Sequence, residues 1–324
     1  LDEELTWARL TLLLERYEPV ASGVINATRW LGADPRAVEI ARGQGDESDY
    51  VRTLRPFAAA NQEWNAEVMR LVQTWKRPSA IVRAWIVCGN DWLYDHGELR
   101  RVVDHYRDVL THAEQYGSIL GQAESHVRLG IALSALGEFP ASEDAEARAR
   151  DLVSRLGPDH RLHASLGWIE ALHAEYLGGV WAPIAETWTR AAADPRLALR
   201  TNWLHDAALA AHAQVRAGNE SEARRILEAL TPQLASLEPP LWLTNGAVAF
   251  GGNAVWHLAA ADLASTYRTV ARRMIADGRG DFPGGSHELT VARMASLLGN
   301  HAEAETYFAR ARRRLEASGQ RPLR

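Results

Sequence analysis

The sequence predicts an all-α fold, a right-handed solenoid of antiparallel helical hairpins. Three observations predict it. Ala, Leu, Arg and Glu fill most segments, and the alternating β-branched pattern of strands is nearly absent. Proline and glycine gather between helical runs, as in Gly157-Pro158-Asp159, Glu238-Pro239-Pro240 and the stretch from Asp277 to Ser286. Small-residue turns recur near positions 97, 137, 179, 218, 261 and 299, at intervals of 40, 42, 39, 43 and 38 residues. Such regularity marks a repeated supersecondary unit whose stacked neighbours bury what one unit alone cannot.

The units can be taken in chain order. Gly97-Glu98 is followed by Val102 and Tyr106. Gly137-Glu138-Phe139 has Gly130 seven residues before it and Ser142 and Ala149 after it. Gly179 precedes Trp181, Trp188 and Ala191, and Gly218-Asn219 lies between Ala211 and the pair Ala223 and Leu227. A weaker copy turns at Ala261-Asp262, with Ala254 before and Val270 after. The last copy is the clearest: Ala292 lies seven before Gly299, and Ala304, Phe308 and Ala311 lie five, nine and twelve after it. Glycine suits the turn because it tolerates positive φ, and small residues let two helices approach.

This pattern resembles the tetratricopeptide repeat over roughly residues 78–318, so a region 78–324 of six such repeats is expected. The period exceeds the usual ~34 residues, so longer helices or longer links are expected. Residues 1–77 have amphipathic runs at Leu5–Trp30, Tyr50–Ala60 and Glu63–Trp75 and are expected to form a helical cap or degenerate repeats. The long period and the Ala/Arg/Leu-rich texture resemble the arrays found C-terminally in LuxR-type ATPase regulators and class III adenylate cyclases. That resemblance implies a non-catalytic binding or sensor module of a bacterial signalling or transcription-regulatory protein. Its partner would be a peptide, a protein or a small effector held in the concave groove. No GxxxxGK[ST] phosphate loop occurs, and a chain opening at Leu1 reads as a fragment of something longer.

Composition narrows the partners. A formal net charge of -5 gives no electrostatic reason for direct nucleic-acid binding or attraction to an anionic membrane. No apolar run reaches the ~18 residues of a membrane span. The single cysteine, Cys88, sits in an apolar run, reads as a buried thiol, and fits a reducing cytoplasm.

The stretch Gly89-Asn90-Asp91-Trp92-Leu93-Tyr94-Asp95-His96-Gly97-Glu98 resembles the second magnesium motif of class I terpene synthases, where ligands recur every four residues on one helix. Three features oppose that reading. No Asp-rich run supplies the facing ligands, Tyr94 stands where Ser or Thr is expected, and Gly97 breaks the helix before Glu98. The stretch is expected to be a hairpin turn. It also departs from the repeat, because Gly89 lies eight residues before Gly97, whereas Gly130 lies seven before Gly137. One extra residue in that helix or its turn is implied.

No other local pattern carries chemistry. His160/His163, His105/His112 and His205/His212 have no carboxylate at ligand spacing and read as surface or groove histidines. Asp144/Glu146 and Glu303/Glu305 read as solvated faces of outer helices, and Arg279-Gly280-Asp281 as a Gly-rich loop. No catalytic residue, metal ligand or cofactor is expected. Twelve tryptophans are unusual. Trp181 and Trp188 take packing positions, while Trp85, Trp92, Trp168, Trp203 and Trp256 fall on first helices. With first helices lining the groove, its candidate residues are Arg128, Trp168, Glu170, His173, Trp203, His205, Asp206, His212, Trp256 and Arg293. Arg128 and Arg293 suit a carboxylate or phosphate. Two other classes stay open: a helical-barrel enzyme of the terpene synthase or α/α-toroid kind, and a pure protein scaffold.

Overall fold

A computed structural model describes residues 78–156, 162–193, 203–236, 244–279 and 281–320. The cap expected over residues 1–77 lies outside the described residues. The described chain is helical almost throughout. The elements in order are α1 (Pro78–Asp91), a π-helical turn (Trp92–His96), α2 (Leu99–Gln115), α3 (Ile119–Leu136), α4 (Phe139–Arg155), α5 (Leu162–Leu177) and α6 (Ala182–Ala193). There follow α7 (Trp203–Arg216), α8 (Glu220–Ser236), α9 (Thr244–His257), α10 (Ala261–Ala276), α11 (His287–Leu297) and α12 (His301–Ser318). Between α10 and α11, β1 (Asp281–Phe282) pairs antiparallel with β2 (Gly285–Ser286). Among the described residues, no helix is long and apolar enough to cross a membrane.

Six turns between helices share one device. A residue in the left-handed region ends each odd-numbered helix or, in the first case, the π turn: Gly97, Gly137, Gly178, Gly218, Ala259 and Gly299, with φ between 50° and 85°. Their intervals are 40, 41, 40, 41 and 40 residues, more even than the sequence count. Two turn positions therefore move. The third turn uses Gly178 where the sequence points to Gly179, and the fifth uses Ala259 where it points to Ala261. Ala259 hides its turn because alanine is a helix former, and holding it at φ 50° costs on the order of 1–2 kcal/mol.

The first of these turns also accounts for the extra residue. Trp92–His96 form a π turn, which adds one residue to the helical ladder, and the Glu98 amide closes it onto the Trp92 carbonyl at 3.1 Å. Ser118 and Ser286 cap α3 and α11, each accepting from the amide three residues on at 3.1 Å.

The helices fall into two classes by burial. α3, α7, α9 and α11 are buried on nearly every side; α9 is enclosed from Thr244 to Val255. The even-numbered helices α2, α4, α8, α10 and α12 bury one face and expose the other. Enclosed helices need small residues at their crossings. Gly130 lies against Ile169 of α5, and its carbonyl accepts from Ser142 of α4 at 2.8 Å. Ser134 and Ser142 share a further hydrogen bond of 2.7 Å, so α3 and α4 meet through hydroxyls where bulk would hold them apart.

Distant parts of the chain also touch. The Asn245 side-chain amide donates to the Tyr94 carbonyl at 2.7 Å across 151 residues, and β1 packs on the π turn. Gln320 donates to the Phe282 carbonyl at 3.1 Å.

Gly251 tests how tightly the enclosed row is packed. Gly→Ala inside a helix ordinarily stabilises by up to ~1 kcal/mol. Here a Cβ would meet the buried Tyr267 ring at 2.6–2.9 Å, and a buried ring cannot give way. Gly251→Ala is expected to destabilise by about 1–3 kcal/mol in urea unfolding; a gain would show slack at the α9–α10 crossing.

Candidate functional site

The enclosed row surrounds a cluster of rings with Phe282 at its centre. Phe282 ends β1 of the short β1–β2 hairpin, where Gly284 in the turn and Gly285 at the start of β2 both have φ near 142°, open to glycine alone. Its ring lies parallel to Trp168 of α5, centroids 5.0 Å apart and planes within 18°. Tyr94 of the π turn is also parallel to Trp168, at 5.5 Å. Phe250 of α9 meets Phe282 edge-on at 5.8 Å, and His205 of α7 lies 4.9 Å from Trp168. Gly246 makes the room: a Cβ there would come within 1.9 Å of His205 Nδ1 and 2.9 Å of the Phe282 ring. Burial among these rings lowers the His205 pKa to about 4, so it is neutral at pH 7. The Trp168 indole N–H is buried there without an acceptor.

Beside the rings lies a buried polar network. Arg128 donates to Asn90 Oδ1 at 2.8 Å and to Glu124 at 3.1 Å, and its guanidinium stands 5.5 Å from the Tyr94 ring. Tyr106 donates to the same Asn90 oxygen at 2.9 Å. Burial works against the arginine's charge, but Tyr94, Glu124 and Tyr106 outweigh it and hold its pKa above the usual value. Arg128 Nη1 nonetheless has no hydrogen-bond partner. Asn90, the first residue of the supposed metal motif, is thus engaged by Arg128 and Tyr106, while Glu98 pairs with Arg101 at 2.8 Å on the surface.

A third group gathers at the C-terminal ends of α5, α7 and α9. Glu175 lies 3.3 Å from His212 Nε2 and 3.2 Å from Arg216 Nε. Burial opposes its charge, yet His212 and Arg216 hold its pKa below the ordinary carboxylate value. The His257 ring is 5.8 Å from His212, and Trp181 meets His212 edge-on at 5.3 Å. Desolvation, with smaller contributions from the neighbouring His212, Arg216 and Arg293, lowers the His257 pKa to about 4. Arg293 donates to Asn253 Oδ1 at 2.5 Å, and its guanidinium lies 6.0 Å from the Trp256 ring.

The ten groove candidates therefore divide. Trp168 and His205 join the ring cluster, Arg128 lies beside it, and His212, Trp256 and Arg293 share the third group. Glu170 and His173 point instead to α4, where they meet Arg150 at 2.8 Å and Ser142 at 3.0 Å. Trp203 donates to the Ala192 carbonyl of α6 at 3.1 Å, and Asp206 is buried on α7. Arg128, Trp168, Asp206, His212 and Arg293 are all buried, where the sequence places them on an open groove floor. Phe282 covers Trp168 and His205 among the ten candidates.

Other expectations shift as well. His105, read as a surface or groove histidine, is buried and bonded to the Trp85 carbonyl at 2.7 Å. Glu146 and Glu303, read as solvated, are half-buried and bridge helices through Arg150 and His173, and through Arg268 and Arg272. Sequence reasoning missed Tyr94, Glu175, Asn245, Asn253, Phe250, Phe282 and His287. The one available signal was a large aromatic, Phe282, inside an otherwise polar Gly-rich loop. Compared with known proteins, the chain matches no family model and no curated sequence.

Desolvated neutral histidines shape the acid response. His205 and His287 have folded pKa values of about 4 and about 3, both lowered first by burial, against ~6.5 in the unfolded chain. Below pH 6.5 the unfolded state binds protons the native state refuses, so stability falls from pH 6.5 down through 4. Each such histidine contributes a slope of up to about 1.4 kcal/mol per pH unit. His205→Phe is expected to remove one such contribution from urea-unfolding free energies measured between pH 4 and 6.5; an unchanged slope would place His205 in a wetter setting. Arg128→Ala removes one partner of the buried Glu124 and the donor to Asn90, and is expected to cost about 3–5 kcal/mol in the same assay.

Proposed function

We propose that the chain is a non-catalytic binding or sensor module of the tetratricopeptide kind, part of a cytoplasmic bacterial signalling or transcription-regulatory protein. In this reading its helices form a right-handed solenoid of antiparallel hairpins. The even turn spacing and the packing of alternate helices, α1 on α3, α3 on α5, α7 on α9 and α9 on α11, support that arrangement. The ligand site is the ring cluster on the inner row. One observation carries this: the Phe282 loop satisfies the aromatic walls but leaves the buried Trp168 N–H without an acceptor. An unmet buried donor costs about 1–3 kcal/mol, so an occupant offering both a ring and an acceptor outcompetes the loop. A peptide or protein segment bearing Tyr or Phe, or a flat small effector, has that chemistry. Displacing the loop would also free the α10–α11 link, and a change in superhelix pitch would follow.

Phe282→Ala is the test. The truncation is expected to cost about 3–5 kcal/mol. The variant should regain thermal stability with p-cresol or a short Tyr-containing peptide, with a larger melting shift than the parent shows. If neither protein responds, the binding reading fails and a pure scaffold takes its place.

The contact of Tyr94 with Asn245 favours a second reading, since a helical-barrel enzyme of the toroid or terpene synthase kind brings its ends together. Magnesium-dependent binding of a diphosphate would support that enzyme.

A further inference from the structure

Among the described residues, several arginines that are buried or half-buried have a carboxylate partner: Arg128 has Glu124, Arg268 has Glu303, and Arg314 has Glu288. Arg293 differs. It is 9% exposed, and among the described residues no carboxylate is in ion-pair contact with it. Its one hydrogen bond goes to the neutral side chain of Asn253, and its one ring neighbour is Trp256 at 6.0 Å. Glu175 favours the Arg293 charge from beyond ion-pair contact but is already held by His212 and Arg216. Two guanidiniums thus share one carboxylate, and neither His212 nor His257 can supply a negative charge.

A buried cation without a counter-charge is costly, and a guanidinium fork presents parallel donors to an oxyanion. The position is also reachable. Trp256 is half-buried and His257 exposed, and the Arg293 nitrogens are not among the sealed, unpartnered atoms of the fold. We infer that Arg293, held by Asn253 and by the face of Trp256, is an oxyanion site whose guanidinium takes the carboxylate or phosphoryl group of a small effector. Burial lowers the Arg293 pKa to about 10, as expected for a cation awaiting its partner. This rests on the binding-module reading for its role, but the site is separate from the ring cluster.

Melting of the full chain in inorganic phosphate, and separately in acetate, against sodium chloride at equal ionic strength tests it. The parent is expected to melt several degrees higher in at least one oxyanion, the shift growing with its logarithm. Arg293→Met should melt higher than the parent in chloride, because an unpaired buried charge is gone, and should lose the oxyanion response. Arg293→Lys keeps the charge without the fork and should bind at least tenfold more weakly. Arg224→Met, on the exposed face, should respond like the parent. An equal shift in chloride, or an undiminished oxyanion response in both Arg293 variants, would overturn the site. Because these variants leave Phe282 untouched, p-cresol binding by Arg293→Lys distinguishes failure of the anion site from failure of the module reading.

Discussion

A helix with no free face has nowhere to send a polar side chain except into a hydrogen bond with a neighbour. Four helices here meet that condition, and the rest of the architecture follows from it. α3 carries Glu124, Ser125, Arg128 and Ser134 into the interior, α9 carries Thr244, Asn245 and Asn253, and α11 carries His287, Glu288 and Arg293. Each buried polar group that finds a partner in another element fixes a crossing: Arg128 to Asn90, Asn245 to Tyr94, His287 to Asn245 at 3.1 Å, Asn253 to the Gly284 carbonyl at 3.2 Å. Apolar contact alone would let such rows slide, whereas these bonds are short and directional.

The same enclosure explains why the histidine of the ring cluster is neutral. His205 is surrounded by Trp168, Trp188, Phe250 and Phe282 and meets no carboxylate that would favour its charge. His173 is different, because Glu146, Glu143 and Glu170 raise its pKa against the desolvation that still wins. Glu175 is held as an anion by His212 and Arg216 although burial disfavours it. Charge state in this interior therefore follows from which helix faces which, more than from depth.

The helical class and the turn glycines were legible in the sequence because each has a local cause. A glycine at positive φ after a run of helix formers needs no tertiary information, and the extra residue before Gly97 was countable before the π turn was seen. Ala259 was not legible, since nothing local distinguishes an alanine held at φ 50° from one inside a helix. The site was half legible. Placing residues on first helices found Trp168, His205, His212 and Arg293. Whether such a face is open or filled depends on an element 114 residues away, since Phe282 meets Trp168 from the far end of the chain. Glu170 and His173 show the limit of register: they share α5 with Trp168, yet face α4.

The bonds from Asn245 to Tyr94 and from Gln320 to Phe282 also bear on how the chain folds. In an array whose helix pairs touch only their neighbours, unfolding can begin at either end and spread pair by pair, with free energies that add like links. A bond across 151 residues makes the first pair and the fifth release together. The described region should then melt as one cooperative unit, and its folding rate should carry the entropy of closing that long loop, a slowness that purely local helical packing avoids.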